Sequence, residues 1–438
     1  MRVTLCALVA AAICLPLAAA PHILLVSVDT LRADRLSSYG YERHTTPNID
    51  KLLARGVRFS DARTIEPLTA PALASMLTSL PPHEHGASRN GLRMRDKQVS
   101  FSKILGRRGY STAAFVGNWT LQDRLTGMGE HFETYSSVLN RKRWLGLVKS
   151  EATAEDLNER AIDWLDEHLA AERRKPFLLW VHYVEPHGPY ELHSSMLDQL
   201  GIDVATEVEA GDRYDTEVAW VDARAGELLD AVFERVSRQE TLVVFVADHG
   251  ESLGDHGYWG HGRHLYDASL RIPMGLVWEG RIAPGVRSEP ALITDLAPTL
   301  LSAADLETPD FFQGFDWLPV LDGESTAPVD RVMLFQAHKG TVMGKEDVAK
   351  ARQKGLLEVA RIEQKRKETV RVARNRRQVH DLTEDPSETG NIAVGDLSPE
   401  LAAWLDEVRR GLELADDLPP PSLSDEDLEA MRALGYID

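Results

Sequence analysis

The sequence predicts an α/β fold: an α/β/α sandwich with a mostly parallel central sheet, followed by a smaller C-terminal α+β subdomain. Three observations carry that expectation. The runs HILLVSVDT (22–30), FLLWVHYVEPHGPY (177–190) and TLVVFVADHGE (241–251) are apolar without polar alternation, so they read as strands buried on both faces, as in a parallel sheet covered by helices. Strand-like and helix-like segments alternate from residue 22 to residue 306, the order of a doubly wound sheet. Near residue 330 the texture changes to a basic stretch followed by a Pro-rich linker.

Taken in order, residues 1–20 (MRVTLCALVAAAICLPLAAA) combine a basic residue, an apolar stretch and an Ala-rich end. That is the pattern of a secretory signal, and the expected destination is the periplasm or the extracellular space. The stretch is short for a membrane span, and an uncleaved N-terminal anchor is the alternative. Cys14 follows Ile13, which is bulkier than the residue before a lipid-attachment cysteine. The first core strand ends at Asp29; NIDKLLARGVRF (48–59) then reads as a helix, and TAPALASMLTSL (69–80) as a second one. RGYSTAAFVGN (108–118) reads as a strand ending at Gly117 and Asn118. Amphipathic helices over 151–173 and 215–237 precede the strands that end near His187 and at Asp248. RIPMGLVWEG (271–280) is a further strand and TDLAPTLLSAADL (294–306) a helix. Residues 21–330 are thus assigned to a large α/β domain and 331–438 to a C-terminal subdomain and tail. In the latter the basic run 341–379 reads as a solvated helix plus a strand, and DDLPPPSLSD (416–425) as a linker before a final helix.

The chain has 438 residues, 43% hydrophobic and 27% charged, an ordinary globular composition. Its only cysteines, Cys6 and Cys14, lie in the first twenty residues. Removal of that segment leaves neither disulfides nor thiol chemistry. A net charge of −19 argues against a nucleic-acid partner. No stable membrane span is expected in the mature chain, and the oligomeric state is not legible.

Ligands of open α/β sheets bind beyond the carboxyl ends of the strands, so Asp29, His187, Asp248 and His249 are expected to meet at one edge. Two carboxylates and an imidazole suit a divalent cation: Ca²⁺, Mg²⁺ or Mn²⁺ for an oxygen-rich set, Zn²⁺ if a second histidine joins. Thr69 opens a helix two residues before Pro71, where the bland reading is an N-cap threonine. A hydroxyl there sits at the positive end of the dipole, and beside a metal it becomes a candidate nucleophile.

VDTLRADRLSSYGYERHTTPNIDKLLARGVRF, LTAPALASMLTSLPPHEHG, YVEPHGPY, ADHGESLGDHG, HLYDASLRIP and HDLTEDPSETGNIA follow one another along the chain. Together they resemble the sulfatase family of the alkaline phosphatase superfamily over nearly the whole mature sequence. The resemblance implies an α/β/α core, a smaller C-terminal subdomain and a metal-dependent esterase of sulfate or phosphate esters. It implies one divalent metal, Ca²⁺ by family habit, held by Asp29, Asp248 and His249 with Thr69, and it places Thr69 at the nucleophile position. His187 matches a family histidine that meets the anion or the leaving group. His261, Arg263 and His264 lie where the family often carries a lysine for the ester oxygen, and the choice among them stays open. Asn118 and Thr120 stand where the family has substrate-binding Lys and His. Asn90, in SRNG, is either a substrate donor or a turn residue; His83 and His85 read as structural, and Glu251 and Asp255 as loop acids.

The departures shape the expected chemistry. The family's C-x-P-S-R or S-x-P-S-R becomes Thr69, Ala70, Pro71, Ala72, Leu73. No formylglycine can arise from Thr69, the usual Arg is Leu73, and the second acid of the first metal-binding pair is Thr30. A phosphoryl-threonine is hydrolysed by in-line water, whereas the elimination that frees a sulfated formylglycine hydrate is closed to threonine. The expected activity is therefore hydrolysis of a small, glycan-linked or lipid-linked anionic ester, phosphoester rather than sulfate ester. A phosphotransferase, a two-metal phosphodiesterase using His187 and His264, and an inactive anion- or glycan-binding relative are the alternatives.

Overall fold

The protein is described by a computed structural model over residues 20–414, apart from 140, 144–147, 172–174, 206–207, 342–354 and 394. The segment up to residue 19 that reads as a signal, the first part of the basic run, the Pro-rich stretch and the expected final helix lie outside the described residues.

Eight strands form the central sheet: β1 (His22–Val28), β2 (Val57–Phe59), β3 (Ser111–Val116), β4 (Thr134–Ser137), β5 (Phe177–Tyr183), β6 (Thr241–Ala247), β7 (Met274–Val277) and β8 (Gly285–Arg287). Their spatial order is β8-β2-β7-β6-β1-β5-β3-β4. β1 lies between β5 and β6 and pairs with both in parallel, Val26 opposite Val181 and Phe245. All of β5 and β6 is buried, as is β1 beyond His22. β7 alone runs against its neighbours, antiparallel to both β2 and β6.

The helices fall into two packed groups. Ala210–Phe233 contacts both Ala154–Ala170 and Pro47–Leu53, and Thr69–Thr78, Phe101–Arg107 and Leu296–Ala303 make the second group. Thr153 and Asp156 close a capping box on the first of these helices, satisfying N–H groups that the first turn leaves without partners. The helix expected over 48–59 ends at Leu53, and Val57–Phe59 enters the sheet. Gly56 makes that switch possible: a Cβ there would lie 2.3 Å from the carbonyl oxygen of Leu276 on β7.

The C-terminal part is a four-stranded antiparallel sheet, β9 (Met333–His338), β10 (Leu356–Glu363), β11 (Arg366–Arg371) and β12 (Arg376–Asp381), in that order. The described part of the basic run is largely strand, as expected for part of it, and 342–354 lie outside the described residues. Helix Pro399–Glu413 covers the sheet with Leu401, Trp404, Leu405, Val408 and Leu412 against Val359 and Val370. Met333 and Phe335 pack on Ile65, Leu265 and Leu270 of the catalytic part. Lys367, fully buried, pairs with Asp267 at 3.2 Å and Glu388 at 2.7 Å, so the charge that crosses this boundary is compensated.

Candidate active site

Three chain segments deliver the ligating groups. Asp29 follows β1, Asp248 and His249 follow β6, and these strands are adjacent and parallel, so their carboxyl ends share one edge. Ligating atoms of Asp29, Asp248 and His249 all lie within 4.8 Å of one another, and all three residues are fully buried. His249 Nε2 stands 3.7 Å from Asp29 Oδ1 and 3.6 Å from Asp248 Oδ2. Thr69, the first residue of its helix, brings its Oγ1 to 3.5 Å from Asp29 Oδ1 and 3.4 Å from His249 Nε2.

These groups fit a divalent cation. Ligands at about 2.1–2.3 Å from one ion are roughly 3.4–3.7 Å apart at tetrahedral angles, which matches the four separations above. Asp248 Oδ2 is buried without a hydrogen-bond partner, while Oδ1 accepts from the N–H of Thr30 and of His249. His249 Nδ1 lies 2.9 Å from the carbonyl oxygen of Gly250. It therefore carries the proton and leaves the Nε2 lone pair facing the carboxylates, the tautomer a metal needs.

The electrostatics point the same way. Burial, and then the charge of Asp29, push the Asp248 carboxyl well above the usual range. Burial opposes ionisation of Asp29 too, but His182, His187 and His249 outweigh it and hold that carboxyl low. Burial, and then His261, push the His249 imidazole down to about 3. Two buried carboxylates beside a neutral imidazole form an arrangement completed by an added positive charge.

His187 and His261 join this group. The His261 ring centroid is 4.5 Å from that of His249 and 5.2 Å from that of His187. Glu251 Oε1 contacts His261 Nδ1 at 3.2 Å. Burial opposes the charged imidazole, yet Glu251 and then Asp29 raise it above its ordinary value. His264 is elsewhere: its Nδ1 meets Glu358 Oε1 of the C-terminal sheet at 2.8 Å, and Arg263 is exposed. His187 and His264 thus do not come together, and no second-ion cluster containing them occurs among the described residues.

Asn118 and Thr120, expected at the substrate, are turned towards Asp29. Thr120 donates through N–H and Oγ1 to Asn118 Oδ1, at 2.9 and 2.8 Å, and Asn118 Nδ2 donates to Asp29 Oδ2. That chain fixes which carboxylate oxygen faces His249. Asn90 Oδ1 accepts from the N–H of Ala70 at 3.1 Å, and its Nδ2 is buried without a partner beside the helix that Thr69 opens. His85 bonds Ser75 Oγ at 2.9 Å. Asp255 pairs with Arg32 at 2.6 Å.

The sequence reading missed His182. It lies inside β5, fully buried, with Nδ1 2.8 Å from Ser27 Oγ and Nε2 3.8 Å from Asp29 Oδ2. A histidine within an otherwise apolar buried strand was the available signal. Thr30 adopts φ 54, and its side-chain oxygen is buried without a partner; its backbone holds Asp248 where a second acid was expected.

Comparison with known proteins agrees with this architecture. The sulfatase family profile matches residues 21–306, and the profile of the N-sulphoglucosamine sulphohydrolase C-terminal region matches 254–411. Choline-sulfatase of Rhizobium meliloti is 27% identical over 380 residues, covering 70% of this chain and 73% of that one. Human arylsulfatase A is 27% identical over 395 residues, covering 77% and 75%. A structure solved with its substrate D-glucosamine-2-N,6-O-disulfate aligns with TM-score 0.67 and 20% identity over 92% of this chain and 100% of that one. The phosphonate monoester hydrolase of Agrobacterium radiobacter aligns with TM-score 0.67 and 18% identity over 90% and 96%. With the family profile spanning the sheet, the helix that Thr69 opens and the strand ends that carry Asp29 and Asp248, the chain belongs to the sulfatase family of the alkaline phosphatase-like superfamily.

Proposed function

We propose that this sulfatase-family hydrolase cleaves phosphoesters in preference to sulfate esters, with Thr69 as the covalent nucleophile. The observation that carries the reading is the position of Thr69 Oγ1, 3.5 Å from Asp29 and 3.4 Å from His249 at a helix N-terminus. No cysteine beyond residue 14 is available for oxidation. Asp29, Asp248, His249 and Thr69 would hold the cation, with Ca²⁺ the first candidate and Mg²⁺, Mn²⁺ and Zn²⁺ the others. When bound, a divalent ion there supplies positive charge that favours ionised oxygen and offsets charge on the transferring group.

The chain's own groups account for the proton traffic at the leaving group. Thr69 Oγ, its proton given up to solvent, forms the bond to phosphorus. The bond from phosphorus to the leaving oxygen breaks, and that oxygen takes a proton from the His261 imidazolium, which Glu251 favours. Water then attacks phosphorus while His261 takes its proton, and the bond from phosphorus to the Thr69 oxygen breaks. His187 lies beside His261 and lends positive character to the transferring group, and the helix N-terminus does the same. Asn90 Nδ2 supplies a further donor. Sulfate transfer stalls at the second stage, because a threonine sulfate ester lacks the elimination route.

Export through the N-terminal segment fits a substrate met outside the cytoplasm, a small, glycan-linked or lipid-linked ester. Among the described residues, no helix is long and apolar enough to cross a membrane. The test is a parallel assay of the purified protein on aryl phosphate monoester, aryl phosphate diester and aryl sulfate with each metal supplied. Turnover of a phosphoester is expected; multiple turnover of aryl sulfate alone would overturn the reading.

A further inference from the structure

A second cluster of ligating side chains lies where the short helix Pro82–His85 meets the C-terminal helix Pro399–Glu413. Its members are His83, Glu84 and Glu407, with ligating atoms all within 4.8 Å of one another. His83 is 1% exposed, and its Nε2 has no hydrogen-bond partner. That nitrogen stands 3.9 Å from Glu84 Oε1 and 3.8 Å from Glu407 Oε1. The separations are too long for hydrogen bonds. They are the distances two ligands show at a wide angle around one ion about 2.0–2.2 Å from each.

The hydrogen-bond network sets the tautomer. His83 Nδ1 lies 2.9 Å from Gln336 Oε1, which only accepts, so Nδ1 carries the proton and Nε2 the lone pair. Burial pushes the imidazole down to about 4. A lone pair aimed at two carboxylates is repelled by them unless a cation lies between.

The surroundings hold this arrangement still. Arg95 Nη1 donates to the carbonyl oxygens of His83 and Glu84, both at 2.9 Å, and its Nη2 donates to that of Gly411 at 2.7 Å. The Trp404 ring packs edge-on to His83, centroids 5.0 Å apart. A Cβ on Gly411 would lie 2.5 Å from His83 Cδ2, so glycine is what lets the C-terminal helix approach this closely. Gln313 Nε2 donates to Glu84 Oε1 at 2.7 Å and orients that carboxylate. The Glu84 and Glu407 side chains are 33% and 49% exposed, which leaves solvent to complete the coordination.

We propose that His83, Glu84 and Glu407 form a divalent-metal site that ties the C-terminal helix to the catalytic part of the chain. The buried imidazole nitrogen accepts a first-row transition-metal ion, of which Zn²⁺ is the probe. The site is independent of the Thr69 chemistry, because it shares no residue with Asp29, Asp248 or His249.

The experiment is zinc titration of the chelator-stripped full chain by calorimetry, comparing wild type with Glu407→Gln and Glu84→Gln. Both altered residues are partly exposed, so the variants keep the fold. Each is expected to bind one zinc equivalent fewer than wild type, or to bind that equivalent on the order of 10-fold or more weakly, as loss of a ligating group requires. Zinc should also raise the melting temperature of wild type more than that of Glu407→Gln. Equal stoichiometry and affinity in all three proteins, or no zinc bound by wild type, would overturn the proposal.

Discussion

Replacing Asp248 by Asn should stabilise the metal-free protein while greatly reducing its response to metal. Asp29 and Asp248 are fully buried with ligating atoms within 4.8 Å of each other. At an effective dielectric of about 20, two unit charges 4.8 Å apart repel by about 3.5 kcal/mol. Protonating an ordinary carboxyl at pH 7 costs about 4 kcal/mol; for the raised Asp248 carboxyl it costs less, so proton uptake relieves the repulsion at low pH and the full repulsion is felt only above the folded value. An Asn keeps Oδ1 accepting from the N–H groups of Thr30 and His249. It also replaces the orphaned Oδ2 with a donor. Allowing for weaker hydrogen bonds to a neutral acceptor, stripped Asp248→Asn should exceed stripped wild type by about 2–3 kcal/mol in denaturant unfolding. The pH dependence follows from the raised carboxyl. Its contribution to stability is fully present below the ordinary carboxyl pKa and is lost as pH rises through the folded value. Stripped wild type should therefore weaken over that range and the variant should not. Added Ca²⁺ should then stabilise wild type by about 2.7 kcal/mol at 100 times its dissociation constant, and the variant far less. A stripped variant less stable than stripped wild type would show that Asp248 is satisfied by the protein rather than poised for a cation.

Other outcomes follow from the same geometry. Glu251→Gln removes the charge that, against burial, raises His261; the alkaline limb of kcat/KM should move to lower pH, and an unmoved limb would exclude His261 as the acid. Asn118→Ala frees Asp29 Oδ2 and should weaken metal binding by about 10–100-fold in calorimetry. Should affinity stay unchanged, Asn118 faces substrate rather than Asp29. His264→Ala should lower stability by about 1 kcal/mol through its lost contact with Glu358 while leaving kcat nearly intact; a large loss of kcat would bring His264 back into the site.

The sequence carries the site's frame because burial and strand ends leave a local signature. β1, β5 and β6 are continuous apolar runs, and the polar residues after them fall at the sheet edge where Asp29, His187, Asp248 and His249 are found. What it does not carry are the non-local terms. β7 has the same apolar texture as its neighbours, and texture records burial but not direction. Gln364 and Lys365 turn the chain between β10 and β11 with φ 47 and 65. Neither is the Gly or Asn that usually marks such a tight hairpin, so the basic run reads as a helix with one strand rather than as a hairpin. His264 finds Glu358 94 positions away, and no local pattern separates it from His261. His182 is hidden in the strand whose apolar character reveals the sheet.

The most direct measurement is on Thr69 itself. Thr69→Ala should lower kcat on a phosphoester by on the order of 10³-fold or more, since the anion-stabilising groups survive and the covalent route does not. Thr69→Ser should retain part of the rate. Rapid acid quench of wild type during phosphodiester turnover, followed by peptide mass spectrometry, should place a phosphoryl or substituted phosphoryl group on the peptide containing Thr69. A Thr69→Ala protein as active as wild type, with no adduct on that peptide, would mean that water attacks directly and that Thr69 is only the first residue of its helix.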